Sequence, residues 1–184
     1  FDLHPSIEPL ITRLVHACGM PDIVPALTWD EAVIDTASAA LQRGAPILCD
    51  CEMVTAGITR RFLPADNQVM VTLNDACVPA LAKTLSTTRS AAAVTLWEPY
   101  LDGAIIAIGN APTALFAVLE LIERTRIQPA AILGFPVGFV GAAESKDALC
   151  EAAACPFITL TGTRGGSALA SAAGAPPARQ NSAM

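Results

Sequence analysis

The sequence predicts an α/β fold in three layers, with helices on both faces of a mostly parallel sheet of about five strands. Five short runs, 46–49, 68–73, 104–108, 130–133 and 157–160, are continuously apolar rather than alternating. Strands that are buried on both faces have this pattern. A segment long enough for a helix separates each run from the next, so crossover helices are expected to connect parallel strands.

Apolar periodicity and terminal signals place the helices. The first helix, 6–18, has apolar residues at helical spacing and is stopped by Gly19 and Pro21. The second is predicted to begin at a capping box, 28–31, and to end at Gly44. Further helices are expected at about 52–58, 78–98 with a break, 112–124, 144–153 and 167–173.

Length and composition favour one folded domain. The chain has 184 residues, of which 53% are hydrophobic, and its mean hydropathy is +0.49. This is enough apolar surface to offset chain entropy over a single domain, 1–174. The last ten residues, 175–184, are rich in Pro and Ala and polar at the end, so we predict a disordered tail there.

Charge, hydropathy and cysteine spacing argue against nucleic-acid-binding, membrane, secreted and metal-binding proteins. The net charge is −6 with only eleven Lys and Arg residues, so nucleic acid is not an expected partner. No uninterrupted run reaches the length of about 20 apolar residues that a membrane helix needs. The N-terminus lacks the features of a signal peptide, which favours a cytoplasmic protein with reduced cysteines. No Cys or His spacing indicates a metal site.

Ligands of open parallel sheets bind outside the carboxyl ends of the strands. Three glycine-containing loops follow the last three predicted strands, at 109–113, 134–141 and 161–167, and each leads into a helix. Helix starts expose unpaired N–H groups that favour anions. Basic residues lie in or beside these loops and helix starts: Arg60, Arg61, Arg89, Lys146 and Arg164. Together they predict a substrate that carries carboxylates or phosphates, although each residue alone also fits an ordinary turn or a solvated charge.

The sequence lacks the common motifs of nucleotide-binding proteins and of serine hydrolases. The sequence contains no phosphate-loop motif, no dinucleotide fingerprint and no nucleophile elbow. His16, at the end of the first helix, is the one mid-chain histidine and the candidate general acid near neutral pH. From the residues alone, a single histidine in an apolar helix is more often a core or surface residue than a catalytic one.

Several segments, in order along the chain, resemble the precorrin-8X methylmutase family of cobalamin biosynthesis. They are 15–19 (VHACG), 45–50 (APILCD), 52–54 (EMV), 88–92 (TRSAA), 109–115 (GNAPTAL), 134–146 (GFPVGFVGAAESK) and 164–168 (RGGSA). The resemblance extends from about residue 14 to residue 172. It implies an isomerase that moves a methyl group from C-11 to C-12 of precorrin-8X or cobalt-precorrin-8, giving hydrogenobyrinate or its cobalt equivalent.

The resemblance also implies roles for residues. His16 is the implied acid, which protonates a ring nitrogen, and the family's active-site threonine and arginine match Thr59 and Arg89. No cofactor is implied, and the expected assembly is a homodimer with substrate clefts near the subunit interface. The loops and basic residues supply the candidate contacts for the substrate carboxylates: Asn110, Thr113, Gly138, Ser145, Lys146, Arg60, Arg164, Gly165 and Ser167.

One departure and one alternative stand beside this interpretation. The family has a further N-terminal segment, with a serine that contributes to the site, and no equivalent precedes Phe1 in this sequence. The alternative is a non-catalytic module that binds a corrinoid or another tetrapyrrole without converting it. The presence of His16 argues against that alternative.

Overall fold

The computed structural model describes residues 3–174, in which the chain forms six strands and eight α-helices. The strands are β1 (Leu27–Trp29), β2 (Ile47–Cys49), β3 (Val69–Val71), β4 (Ile105–Ile108), β5 (Ala131–Gly134) and β6 (Phe157–Leu160). The helices are α1 (Glu8–Cys18), α2 (Val33–Gln42), α3 (Glu52–Gly57), α4 (Val78–Thr84), α5 (Arg89–Thr95), α6 (Pro112–Thr125), α7 (Ala142–Ala152) and α8 (Ser167–Gly174). The 3₁₀ segments are Pro21–Ala26, Arg60–Phe62 and Glu98–Tyr100.

The strand order is β1-β6-β5-β4-β2-β3, and all pairs are parallel except β1 with β6. The mostly parallel sheet is therefore confirmed, but the expected count of about five strands was one short. The missing strand is β1, in which Leu27 lies opposite Leu160. β1 was not predicted because its sequence, LTW, is not a continuous apolar run, and its strand structure comes from pairing with the distant β6.

Each face of the sheet is covered by helices, because successive strand residues point to opposite sides. On one face Ile47, Ile105 and Leu133 pack with residues of α1, α2, α3 and α8. On the other face Leu48 and Ile106 pack with residues of α5, α6 and α7. This gives the predicted arrangement of helices on both faces, and it explains why the strand sequences are apolar throughout.

The predicted capping box at 28–31 is wrong. Thr28 lies within β1, and α2 begins only at Val33. Asp30 instead satisfies a donor just before the helix, because its Oδ1 accepts from the Ala32 N–H at 2.8 Å. The pairing of β1 with β6 uses the backbone that the capping box would have needed.

The remaining helix predictions differ from the structure by a few residues. α1 begins at Glu8, two residues later than predicted, and α7 begins at Ala142 after Gly141, whose φ of 81° favours glycine. The predicted break in 78–98 is confirmed, since α4 and α5 are separate helices. The predicted disordered tail, 175–184, lies outside the described residues. None of the helices in residues 3–174 is both long enough and apolar enough to cross a membrane.

Candidate active site

The strand order places the point where the chain reverses direction across the sheet between β2 and β4. β3 lies to one side of β2, while β4, β5 and β6 continue on the other side. In open parallel sheets the ligand crevice forms at such a point, outside the carboxyl ends of the strands. We call the edge at which β2 to β6 end the C-terminal edge.

Asp50, directly after β2, fills this point with a negative charge from the protein itself. Its carboxylate accepts from the backbone N–H groups of Gly109 at 2.9 Å, Asn110 at 2.9 Å and Ala111 at 2.8 Å. Only 4% of the residue is exposed. Because these N–H groups lead into α6, the start of that helix is already occupied and does not offer them to a substrate carboxylate.

The same turn needs glycine at position 109. A Cβ placed there would lie 2.6 Å from Val54 Cγ2 in α3 and 2.7 Å from Ser167 Cα at the start of α8. Both distances are shorter than real side chains tolerate. The turn after β4 therefore lies in close contact with the first residues of α8, and Ser167 in turn has its Oγ 3.7 Å from the Cys51 Sγ.

Arg89 lies at the start of α5, where Thr88 caps the helix by accepting from the Ala91 N–H at 3.1 Å. The Thr88 hydroxyl also donates to Thr113 Oγ1 at 2.8 Å, which links α5 to α6. Such caps contribute about 1 kcal/mol to helix stability. The structure thus brings Thr113 and Arg89, two predicted site residues, to the same part of the C-terminal edge.

The Arg89 guanidinium is held by polar atoms that follow β3. Its Nη2 donates to Leu73 O at 3.3 Å and to Asn74 Oδ1 at 3.1 Å, and Asn74 Nδ2 donates to Glu52 Oε1 at 3.3 Å. The side chain is exposed. A guanidinium has five N–H donors, so Nε and Nη1 remain to bind a carboxylate in an orientation that the protein has fixed.

Thr59 and Arg60 lie elsewhere. They follow α3, and Arg60 Nη2 donates to Val69 O at 3.4 Å, at the first residue of β3. Arg89 contacts Leu73, beyond the other end of that strand, and four residues of extended chain span about 13 Å. The structure therefore does not group these two residues with Arg89, although both are exposed.

His16 is exposed in the last turn of α1, which ends at Gly19. The 3₁₀ segment that follows leads into β1 beside the end of β6, because Leu27 pairs with Leu160 and the Thr161 N–H donates to Ala26 O at 2.9 Å. This connection brings the end of α1 to the C-terminal edge. His16 thus lies at the same edge as Arg89, on the side of β6.

Arg164, in the loop after β6, is linked to the segment that follows α1. Its Nη1 forms a salt bridge of 2.6 Å with Asp22 Oδ2, and both side chains are largely exposed. The hydrogen bond from Arg164 holds the pKa of the Asp22 carboxyl below its usual range. A substrate carboxylate that binds Arg164 would therefore compete with Asp22.

Ser145 and Lys146 are fully buried in α7 and contact the protein itself. Ser145 Oγ donates to Ala142 O at 3.0 Å. Lys146 Nζ donates to Pro136 O at 3.2 Å and to Arg164 O at 2.7 Å, which joins the loops after β5 and β6. Burial lowers the pKa of the Lys146 ammonium from its usual value to about 8, and the charge of Asp147 acts in the opposite direction.

The backbones of these two loops are also joined directly. The Gly138 N–H donates to Thr163 O at 3.1 Å, and the Gly166 N–H donates to Phe135 O at 2.8 Å. A Cβ at Gly165 would collide with the carbonyl oxygens of Phe135 and Pro136. The predicted contacts Gly138 and Gly165 thus lie in one connected surface beside Arg164.

Large apolar side chains are exposed in this region. Phe139 is 95% exposed and Val140 is 89% exposed in the loop after β5, and Met53 is 72% exposed in α3.

Two cavities lie away from the candidate residues. One of about 130 Å³ lies between α1 and α2, and an open groove of about 930 Å³ runs along α4, α5 and α6. Neither is lined by His16, Arg89 or Arg164. Within residues 3–174 no group of His, Cys, Asp and Glu side chains could hold a metal ion.

Comparison with known proteins gives a consistent assignment. The family model described as CbiC, precorrin-8X methylmutase, matches residues 2–175. The chain belongs to the precorrin-8X methylmutase family. Its activity is accordingly that of an isomerase in cobalamin biosynthesis.

Individual relatives agree over most of their length. The chain is 52% identical to the precorrin-8X methylmutase of Pseudomonas aeruginosa over 91% of this chain and 81% of that protein. It is 53% identical to the one from Sinorhizobium over 89% and 79%. The cobalt-precorrin-8 methylmutase of Methanocaldococcus jannaschii is 38% identical over 88% and 73%. A solved structure described as a precorrin-8X methylmutase related protein superposes with a TM-score of 0.87 at 33% identity, covering 94% of this chain and 90% of that one.

Two functional features of this methylmutase were not anticipated from its sequence. Asp50 was noted only as part of a matching segment, and Lys146 was predicted to contact substrate rather than to join loops. The signal for Asp50 was available, because it is an acidic residue directly after the first strand of the parallel sheet. Its partners at 109–111 were visible only as a helix start.

Proposed function

We propose that this methylmutase acts on cobalt-free precorrin-8X and moves its C-11 methyl group to C-12, giving hydrogenobyrinate. The observation that carries the proposal is that His16, Arg89 and Arg164 come to one edge of the sheet, in a chain with this family membership. Support for the cobalt-free substrate comes from identity, which is 52–53% to two relatives named for precorrin-8X and 38% to one named for cobalt-precorrin-8.

His16 is the general acid of the proposed reaction. It donates a proton to a ring nitrogen, which draws electron density away from the C-11 centre. The bond from C-11 to the methyl carbon then breaks as the bond to C-12 forms, and the proton returns when the product leaves. No electrons are gained or lost, so the step needs no redox partner. A positioned acid contributes about 10² to 10⁴ in rate.

The carboxylates of the macrocycle bind around this acid. Arg89 and Arg164 are the proposed charged contacts, and the proposed polar contacts beside them are Asn110, Thr113, Gly138, Gly165 and Ser167. Fixing a large substrate at several carboxylates holds C-11 and C-12 in one geometry relative to His16, which lowers the entropic part of the barrier. Lys146, being buried, acts by holding the loops that carry these contacts, whereas the buried Ser145 bonds to Ala142 O within α7.

A homodimer of one domain per subunit, 1–174, in the cytoplasm completes the proposal. It is supported by the exposed Phe139 and Val140, since apolar side chains of this exposure fit a surface that a partner or a flat ligand covers. Thr59 and Arg60 also support it. They lie away from Arg89, so a second subunit offers a route by which they reach the same substrate.

The decisive experiment follows the absorption change of precorrin-8X, with cobalt-precorrin-8 in a parallel series. We expect conversion of precorrin-8X by the wild-type chain and a rate about 10² to 10⁴ lower for His16→Ala, with unchanged thermal unfolding. His4→Ala is the matched control, because His4 is exposed and its ring bonds to Ser6, two residues along the chain. Equal turnover in His16→Ala would refute the acid. Binding without conversion by the wild type would favour the non-catalytic corrinoid-binding module.

A further inference from the structure

We infer that Asp50 is a positioning residue for the methyl shift, which fixes the turn 109–111 so that the substrate contacts around that turn keep their places. This inference rests on the proposed function. The observation behind it is a buried charge that is compensated by backbone groups. A carboxylate that is nearly fully buried accepts three backbone N–H groups at 2.8–2.9 Å and joins the end of β2 to the start of α6.

The Asp50 carboxylate offers two acceptor oxygens to the three backbone N–H donors around it, whereas the amide of Asn offers only one. One oxygen accepts from Gly109, and the other accepts from both Asn110 and Ala111. In Asp50→Asn, one of the two oxygens becomes an NH₂ group that faces backbone N–H donors. The negative charge also lies at the positive end of the α6 dipole, which favours it.

Three proposed substrate contacts depend on the turn that Asp50 holds. Asn110 is part of the turn, and its exposed side chain follows the backbone N–H that Asp50 binds. Thr113 lies in the first turn of α6 and receives the hydrogen bond from Thr88, the residue before Arg89. The start of α8 packs against Gly109 at Ser167. A shift of this turn is therefore felt at both sides of the reversal point.

Asp50 also determines which groups can bind the anionic substrate. Because it occupies the N–H groups of Gly109, Asn110 and Ala111, these three groups are not available to a substrate carboxylate, which favours binding to side chains such as Arg89. Its own charge does not repel them strongly, since three N–H dipoles surround it and little of it faces solvent. Asp50 thus acts on substrate binding through the turn and makes no contact with the substrate itself.

The test compares Asp50→Asn and Asp50→Ala with the wild type in the precorrin-8X assay. We expect KM to rise about tenfold in Asp50→Asn while kcat changes little, because the turn acts on substrate binding. Formate, a free carboxylate small enough for the space left in Asp50→Ala, should lower KM toward the wild-type value, and formamide should not. Asp30→Asn is the matched control, because Asp30 also accepts a backbone N–H near a helix start, at the opposite edge.

Each other outcome counts against the inference. A folded Asp50→Asn protein with the wild-type KM overturns it, as does a change in kcat alone or a folded Asp50→Ala protein on which formate has no effect. If neither variant folds, Asp50 is a stability residue and the inference is wrong. If the wild-type chain fails to convert precorrin-8X, the proposed function fails, and that result involves no Asp50 variant.

Discussion

The two sides of the C-terminal edge are each held by one buried charge, but the charges have opposite signs. On the β2–β4 side, Asp50 accepts three backbone N–H groups, whereas on the β5–β6 side Lys146 donates to two backbone carbonyls. Neither charge forms a salt bridge within the residues that the structure describes. The difference follows from the loops, because a helix start presents donors and a pair of strand-end loops presents acceptors.

This comparison shows how the site can be rigid and remain open. Both charges are compensated by backbone groups, so no exposed side chain is needed to hold the loops. Arg89 and Arg164 keep N–H donors for a ligand as a result. Breaking such a contact is costly, because a buried polar group left without its partner lowers the free energy of unfolding by about 1–3 kcal/mol.

The largest expected effect on stability is that of Lys146→Met. The substitution keeps the length of the side chain but leaves Pro136 O and Arg164 O without their donor. We expect the free energy of unfolding to fall by about 2–5 kcal/mol, from two lost bonds to a charged group. Urea unfolding measures it, with Lys83→Met, an exposed lysine of α4, as control. Equal stability of the two variants would show that Lys146 does not hold the loops.

The arginines on the two sides should differ in their effect on binding. Arg89→Ala removes a guanidinium that backbone and Asn74 contacts hold in place, so we expect binding of a carboxylate substrate to weaken by about 1.5–3 kcal/mol. Arg164→Ala should weaken it less, because Asp22 already neutralises part of that charge. Titration with the carboxylate and the amidated forms of the corrinoid measures both.

Two controls test whether these arginines act through the charge of the ligand: amidated corrinoids and the Asp22→Asn variant. The loss should be smaller for amidated ligands, and Asp22→Asn should tighten binding by freeing Arg164 from its competitor. An equal loss for acid and amide forms would mean that the arginines act through packing. Unchanged binding in Asp22→Asn would show that the salt bridge does not compete with the substrate.

Substitution of one glycine on each side, Gly165 and Gly109, should lower stability by different amounts. In Gly165→Ala the new methyl meets two backbone carbonyl oxygens that cannot move separately from their loop. In Gly109→Ala it meets Val54 Cγ2 at 2.6 Å and the Ser167 Cα at 2.7 Å, which are longer than the distances to the two carbonyl oxygens at Gly165. Overpacking costs about 1–3 kcal/mol, and we expect Gly165→Ala at the upper end. Thermal unfolding of both variants gives the order, and the reverse order would contradict the geometry.

A pH dependence of the free energy of unfolding is expected from Lys146 on the β5–β6 side. The pKa of Lys146 is lowered to about 8 in the folded protein. Between that pH and the ordinary lysine value, the unfolded chain binds more protons than the folded chain, so stability rises with pH. Below about pH 8 both states carry the proton and this contribution is constant. Unfolding free energies at pH 7.5 and 9.5, taken as the difference between wild type and Lys146→Met, isolate it. A difference that falls with pH would contradict the sign.

The sequence was sufficient for the fold where burial alone determines the pattern. β4 and β5 are apolar throughout because both their faces are covered, and a break was predicted within 78–98, where α4 and α5 are separate helices. β1 was missed because its strand character comes from pairing with β6. The helix start at Thr28 was wrong for the same reason.

For the site, sequence position indicated the correct edge but not what each residue contacts. Arg89 and Arg164 reach the C-terminal edge as their positions beside loops and helix starts predicted, whereas His16 was proposed for the site only from the family resemblance. Lys146 was expected to face the substrate, since a lysine in a helix start is normally solvated, and only the packing of α7 under two loops shows that it is buried. The contact of Asp50 with 109–111 joins parts of the chain that no local pattern connects.

The antiparallel pairing of β1 with β6 has a consequence for how the chain reaches its active form during synthesis. The segment that fixes the end of α1, and with it His16, pairs with β6, a strand that lies far later in the chain. α1 also packs on α8, the last helix of the described residues. Contacts this distant in sequence form late, because loop closure must come first. The proposed acid is thus synthesised well before the strand and the helix that fix its position, and it is among the last residues to reach its place.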